Sequence, residues 1–302
     1  MREVPERARR LAEERAGKRA EGDFAAADGL RDRIREMGFE VRDTPEGVDI
    51  EPTMEEVRRL RPGQVESLLR EPSNADFSVH WVVQGWPEDV LRGIESFRRF
   101  QGERDVQHVV VDAAGTEPSY FPPYVEVIPL EDDFGWAADR NAGLRRSRGR
   151  IVVVADGSIE AAGDVFPPLE EALADPSVGV VGPFGLVTDD LHEFRESGGV
   201  GEDRRVDAVE GYLMAFRRET LEEAGFFDEK FKFYRIADVE YSFRLMDRGY
   251  KAVVVTLQVE RREHRMWEST SPTERERLSK RNYYRFLDRW RGRIDLTVGG
   301  RN

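Results

Sequence analysis

FGWAADRNAGLRRSRGRIVVVADGS, residues 134–158, changes character halfway along. Residues 134–149 read as a helix, and RIVVVAD from Arg150 reads as a strand that ends in a carboxylate, Asp156. The same unit recurs on both sides. FSVHWVV is strand-like from Phe77, PEDVLRGIESFRRF is an amphipathic helix, and VQHVVVD is a strand ending in Asp112. VEVIPL follows as a short strand, and DVFPPLEEALAD with SVGVVGP supplies one more helix and strand. This alternation predicts an α/β fold with a doubly wound, mostly parallel sheet and flanking helices. Ligands of such sheets gather at the carboxyl ends of the strands, where Asp112 and Asp156 both sit.

Past residue 184 the pattern loosens. Residues 184–208 are polar and glycine-rich, as suits a loop over a site. VEGYLMAF reads as a strand, RRETLEEAG as a helix stopped by Gly225, ADVEYSFRLMDRG as a helix, and KAVVVTLQV as a late strand. SPTERERLSKRNYYRFLDRW closes the chain as a basic, aromatic helix. From 261 to 293 there are 11 Lys and Arg against 5 acids, either a solvated face or a contact for a diphosphate or an anionic lipid surface. Its aromatics, Trp267, Tyr283, Tyr284, Phe286 and Trp290, are expected to pack against the sheet.

Composition narrows the function. The chain has 302 residues, 39% hydrophobic and 35% charged, with a net charge of −13. That disfavours general nucleic-acid binding. The absence of cysteine removes disulfides, thiolate zinc sites and cysteine nucleophiles. The charged start is no secretory signal, and no apolar run approaches a membrane span, so the expectation is a cytoplasmic protein, at most peripheral to a membrane.

Two motifs carry a resemblance. FGWAADRNAGLRRSRGRIVVVADGS resembles the stretch G-x-A-x-x-R-N-x-G, strand, D-x-D of family-2 inverting glycosyltransferases. FDEKFKFYRIADVEYSFRLMDRGYKA, residues 227–252, resembles their second signature, F-D-E, an aromatic run, E-D-x-D, a helix with Arg, then G-Y. The resemblance spans about 76–292 and implies the GT-A fold. It also implies a nucleotide-sugar donor, a divalent cation (Mn2+ or Mg2+) to neutralise the leaving diphosphate, and a carboxylate to deprotonate the acceptor hydroxyl. Carried over by motif, Asp112 would contact the nucleotide base and Asp156 the ribose and the metal. Asp238 would be the general base, His264 a metal ligand, and Arg140 a phosphate contact beside Asn141.

Each of these residues has a plainer reading. Asp112 and Asp156 could cap strand-end turns, and Asp238 could be a helix N-cap. Glu240, two residues past Asp238 where the family often has a second acid, could equally be a solvated helix residue, His264 a surface residue, and Arg140 and Asn141 could fix a loop. There are also departures from the pattern. Ser158 stands where the second metal carboxylate is usual, and a hydroxyl is the poorer ligand for a hard cation. Glu160, or nearby Arg and Lys, would have to compensate. Ala237 replaces the acid before the base, and QGWPED and AAGT replace the usual turns after the first two strands. The Q-x-x-R-W signature of processive members is absent. The expectation is one sugar transferred with inversion, with weakened metal dependence, to a glycan, lipid or small-molecule acceptor. The alternative is an inactive GT-A-fold binding or scaffold protein.

Ahead of this domain, residues 1–52 read as two helices and a small strand pair around DTPEG, and 53–75 as a helical linker broken at Pro62–Gly63. RARRLAEERAGKRAEGDFAAADGLRDRIREMGFEVRDTPEGVDI, residues 7–50, resembles the C-terminal end of cysteinyl-tRNA synthetases. Charges over 1–40 balance, which is thin for RNA binding. A docking or self-association element for a protein partner is the expectation.

Overall fold

The computed structural model describes residues 4–37, 39–44, 47–52, 57–198 and 204–300, with only the backbone of 51–52. Gly38, a residue type that suits the stop of the second helix, lies outside them, as do part of the DTPEG turn, residues 53–56 of the linker at 53–75 and residues 199–203 of the loop at 184–208. The chain forms two compact units, Met1–Arg58 and Arg59–Asn302.

The first unit contains α1 (Glu6–Ala20), α2 (Phe24–Glu36) and an antiparallel pair, β1 (Phe39–Thr44) and β2 (Gly47–Pro52). Asp23 starts α2 as a side-chain N-cap, its Oδ1 accepting from the Ala26 N–H at 3.1 Å. Ala8, Ala12, Ile34, Phe39 and Val41 make its core. The buried Arg15 forks onto Asp43 at 2.7 and 3.0 Å and ties helix to strand.

The second unit runs through β3 (Ala75–Val83), α3 (Pro87–Phe100), β4 (Val106–Asp112), β5 (Val125–Pro129), α4 (Trp136–Leu144), β6 (Gly149–Ala155) and β7 (Ile159–Ala161). It continues with α5 (Phe166–Leu173), β8 (Val178–Gly182), β9 (Gly185–Val187), β10 (Arg195–Glu196), β11 (Arg205–Val206), β12 (Ala208–Val209) and β13 (Leu213–Arg217). The last elements are α6 (Arg218–Ala224), α7 (Ala237–Asp247), β14 (Lys251–Val254), β15 (Val259–Arg261), α8 (Arg265–Ser269) and α9 (Pro272–Trp290). Eight strands form one sheet in the order β11-β14-β8-β13-β6-β3-β4-β5. β3, β4, β5 and β6 are mutually parallel, and β14 is parallel to β8. β13 runs antiparallel between β6 and β8, and β11 antiparallel to β14.

Because both faces of the central strands are covered, apolar residues lie on both faces rather than on one alone. Phe77, Trp81, Val153 and Phe166 fill one side, and Val152, Val154, Phe216 and Phe243 the other. The antiparallel β13 matters for the site. Its amino end, with Glu210, Gly211 and Tyr212 just before it, lies at the same sheet edge as the carboxyl end of β6. The Asp156 N–H continues the β6–β13 ladder to the Tyr212 carbonyl at 2.9 Å.

Residues 59–73 belong to this unit. The Leu60 N–H donates to Pro129 O at 2.9 Å, the Glu131 N–H donates to Leu60 O at 3.0 Å, and Val65 is buried with Val109, Val111 and Ile128. A single 3-10 turn, Pro62–Gln64, is their regular helical element. Of the terminal aromatics, Phe286 and Trp290 are buried against Phe243 of α7, at ring-centroid distances of 5.0 and 6.0 Å. Tyr284 is exposed, and Trp267 lines a cleft instead of the core. Among the described residues no helix is long and apolar enough to cross a membrane.

Candidate active site

A cleft of about 340 Å³ opens at the sheet edge where β6 ends and β13 begins. Asp156, Asp238, His264 and Glu210 face it, with Trp136, Tyr212, Tyr234 and Trp267 as aromatic walls. A smaller cavity of about 50 Å³ adjoins, lined by Arg140, Asp156, Ser158 and His264 among others. Asp156 and His264 border both.

Asp156 is placed by β6 and held by the turn after it. Its Oδ1 accepts the Ser158 N–H at 2.9 Å and the Ser158 hydroxyl at 2.6 Å. Its Oδ2 lies 3.6 Å from His264 Nε2 and 3.7 Å from Arg140 Nη2. Burial alone would raise its pKa, but the bonds and charges of His264, Arg140 and Ser158 outweigh burial and bring the carboxyl to about 2.

Asp238 sits in the first turn of α7 but is not its N-cap. That position is Ile236, a β-branched residue at φ 74°, a costly conformation that native structures keep where geometry is over-determined. The Asp238 carboxylate instead accepts the Gly211 N–H at 2.7 Å on Oδ2 and the Val239 N–H at 2.9 Å on Oδ1. Burial raises its pKa, with these backbone donors opposing. Gly211 permits the approach, since a Cβ there would sit 3.1 Å from Trp136 and 3.4 Å from Asp238.

The other residues of the two motifs divide. Arg140 is 4% exposed, with its guanidinium 4.9 Å from the Trp136 ring and Nη1 on Ala155 O at 3.2 Å. Asn141 clamps the second motif to the first: its Oδ1 accepts the Phe227 N–H at 3.0 Å and its Nδ2 donates to Phe227 O at 2.9 Å. It fixes a loop and does not face the cleft. Glu240 is neither solvated nor in the site. It is 1% exposed, bonded to Arg244 at 2.6 Å and to Arg289 of α9 at 2.8 Å.

Asp112 stands apart from the cleft. It is fully buried, its Oδ1 accepting the Ala114 N–H at 3.2 Å and its Oδ2 the Arg59 guanidinium at 3.2 Å. Glu160 also turns elsewhere, binding Arg92 and, at 3.1 Å, Arg262.

Sequence reading missed Glu210. In sequence it reads as part of the strand VEGYLMAF; in the structure it precedes β13 and faces the cleft with Asp238. Burial, and then the Asp238 charge, push its carboxyl up to about 7. The Glu-Gly pair before an apolar run was the available signal for a polar group at a strand start.

The expected divalent cation finds few donors. Among the described residues no group of three or more His, Cys, Asp or Glu side chains is placed to hold a metal ion. His264 Nδ1 accepts the Trp267 N–H at 3.1 Å, so the hydrogen of a neutral ring is on Nε2, the atom that faces Asp156. A ring nitrogen carrying hydrogen has no lone pair to give, and the Ser158 hydroxyl, bonded to Asp156 at 2.6 Å, offers only a neutral oxygen. These residues do not fit a resident divalent cation.

Residues 102–250 match the family model described as glycosyl transferase family 2. A crystal structure of GalNAc-T7 with UDP, GalNAc and Mn2+ aligns at a TM-score of 0.58 and 17% identity, covering 73% of this chain and 49% of that one. This chain therefore spans about half the length of that protein, and the likeness is one of fold. The mannosyltransferase PcManGT from Pyrobaculum calidifontis, in complex with GDP-Man and Mn2+, aligns at 0.47 and 20% identity over 72% of this chain and 73% of its own. No curated protein matches in sequence. The order of the sheet and the two motifs meeting at its edge agree with the match of residues 102–250 to glycosyl transferase family 2, and the fold is GT-A-like.

Proposed function

We propose that the domain at 59–302 transfers one sugar from a nucleoside-diphosphate sugar to an acceptor hydroxyl, with inversion and without processive elongation. The observation that carries this reading is that Asp238, anchored by two backbone N–H groups, opens onto the same cleft as Asp156. Asp238 takes the acceptor proton as the hydroxyl oxygen attacks the anomeric carbon. Its raised pKa makes it a stronger base than an exposed carboxylate. Asp156 lies on the donor side with Arg140. The four aromatic walls suit an acceptor with a flat ring face, such as a glycan.

Asp238→Asn tests the assignment. Transfer, or donor hydrolysis with water as acceptor, should fall about 10²–10⁴-fold. UDP, GDP or dTDP, whichever the wild type binds, should still bind within about twofold. A variant that keeps its turnover would remove Asp238 as base.

A second reading is favoured by one observation. Arg59 seals Asp112, the carboxylate that the resemblance assigns to the nucleotide base. On that reading the fold is kept as a binding protein, and none of the three nucleotides shifts the unfolding midpoint. A true ligand at a hundred times its dissociation constant would shift it by several degrees. The unit at 1–58 is proposed as a docking or self-association element, served by neither site.

A further inference from the structure

The surroundings of His264 have the wrong polarity for a metal ligand and the right one for a hydrogen-bond donor. A histidine that ligates a metal normally donates its other ring N–H outward to a carboxylate, carbonyl or water. Here the other nitrogen, Nδ1, faces a donor, the Trp267 N–H at 3.1 Å, which also reaches the His264 carbonyl at 2.9 Å. A neutral ring in this position carries its hydrogen on Nε2, and a protonated ring carries hydrogens on both nitrogens. In either state Nε2–H points toward Asp156 Oδ2, 3.6 Å away. The ring is held between Tyr212 and Tyr234, at centroid distances of 5.4 and 4.8 Å.

Arg140 supplies an independent observation. Its side chain is buried, it borders the small cavity with Asp156, Ser158 and His264, and its Nε has no hydrogen-bond partner. A buried guanidinium with an unused donor is costly unless a ligand completes it. Every group that surrounds Asp156 here, namely Ser158 N–H and hydroxyl, His264 and Arg140, donates hydrogen. The cavity wall also holds Glu263 and Asp89, the latter occupied by Arg92 at 2.8 Å and Arg265 at 3.2 Å, while the donors gathered on Asp156 present hydrogen to an anion.

We infer that His264 and Arg140 take the place of a divalent cation and bind the diphosphate of the donor directly. The inference rests on the nucleotide-sugar reading above. As the acceptor oxygen bonds to the anomeric carbon, the bond from that carbon to the diphosphate oxygen breaks. The acceptor proton passes to Asp238. The electron pair leaves with the nucleoside diphosphate, whose new charge is met by His264 Nε2–H and the Arg140 guanidinium. Asp156 is then a positioning residue that aims both donors, and Ser158 holds Asp156.

The full-length protein is stripped with EDTA and titrated with UDP, GDP and dTDP by calorimetry, with and without Mn2+, as wild type, His264→Ala and His264→Gln. The expected result is one preferred nucleotide whose affinity differs by no more than about threefold between the two buffers. His264→Ala weakens it about ten- to hundredfold in both buffers, the scale of a lost bond to a charged group. His264→Gln, which keeps an N–H donor, recovers most of that loss. The electron paramagnetic resonance signal of free Mn2+ stays unchanged when protein and nucleotide are added together. Affinity that rises tenfold or more with Mn2+, with the gain lost in His264→Ala, would overturn the inference and leave the transferase reading standing. Failure of all three nucleotides in both buffers would overturn both.

Discussion

At the scale of the residue, the site has a pair of carboxylates that meet at Gly211 in one cleft. Asp238 accepts the Gly211 N–H, and Glu210 precedes it in the chain. Glu210 has a folded pKa of about 7, above its unfolded value, so it favours the folded state below about pH 4 and loses that contribution as pH rises through 7. Glu210→Gln should therefore gain stability over wild type at pH 8 relative to pH 5, by roughly 1–3 kcal/mol. Urea midpoints at the two pH values measure this, and parallel curves would show that Glu210 is solvated. Asp156, held down at about 2, contributes in the opposite sense: its stabilisation is present above about pH 4 and is lost as pH falls through 2. Which carboxylates sit at strand ends was legible in sequence, because apolar runs end visibly. Which of them face solvent, cleft or an arginine was not. Asp112 and Asp156 look alike in sequence, and only the distant Arg59 separates them.

At the scale of the element, the alternation of helix and strand was legible and the direction of β13 was not. VEGYLMAF is as apolar as its neighbours because it is buried on both faces, and burial leaves no mark of direction. Its antiparallel course brings Glu210 and Tyr212 to the edge where β6 delivers Asp156. The strap at 59–61 escaped notice for another reason. It pairs with the chain after β5 about seventy residues away, and nothing local announces that partner. Arg59→Ala should leave the buried Asp112 with one backbone donor, costing roughly 1–3 kcal/mol. At roughly 2–4 °C per kcal/mol the midpoint should drop by several degrees, and an unchanged midpoint would mean that the Arg59 contact contributes nothing.

At the scale of the molecule, the two compact units suggest where the chain can be cut. Removing 1–58 should leave nucleotide binding unchanged. Removing 1–74 should not, because Val65 completes a core and Arg218 loses its partners, the Leu68 and Glu71 carbonyls. Calorimetry on both truncations checks this, and loss of binding on removing 1–58 would tie the first unit to catalysis. The division was partly visible in sequence, since the alternation of strand and helix begins at Phe77, but the linker before it conceals residues that the second unit requires. That arrangement sets an order of events on the ribosome. The segment at 68–71 emerges early, yet its carbonyls wait for a guanidinium almost 150 residues later in the chain, bonded to Glu71 O at 2.7 Å. A nascent chain stalled before residue 218 should expose that segment to protease, and a chain released after it should not.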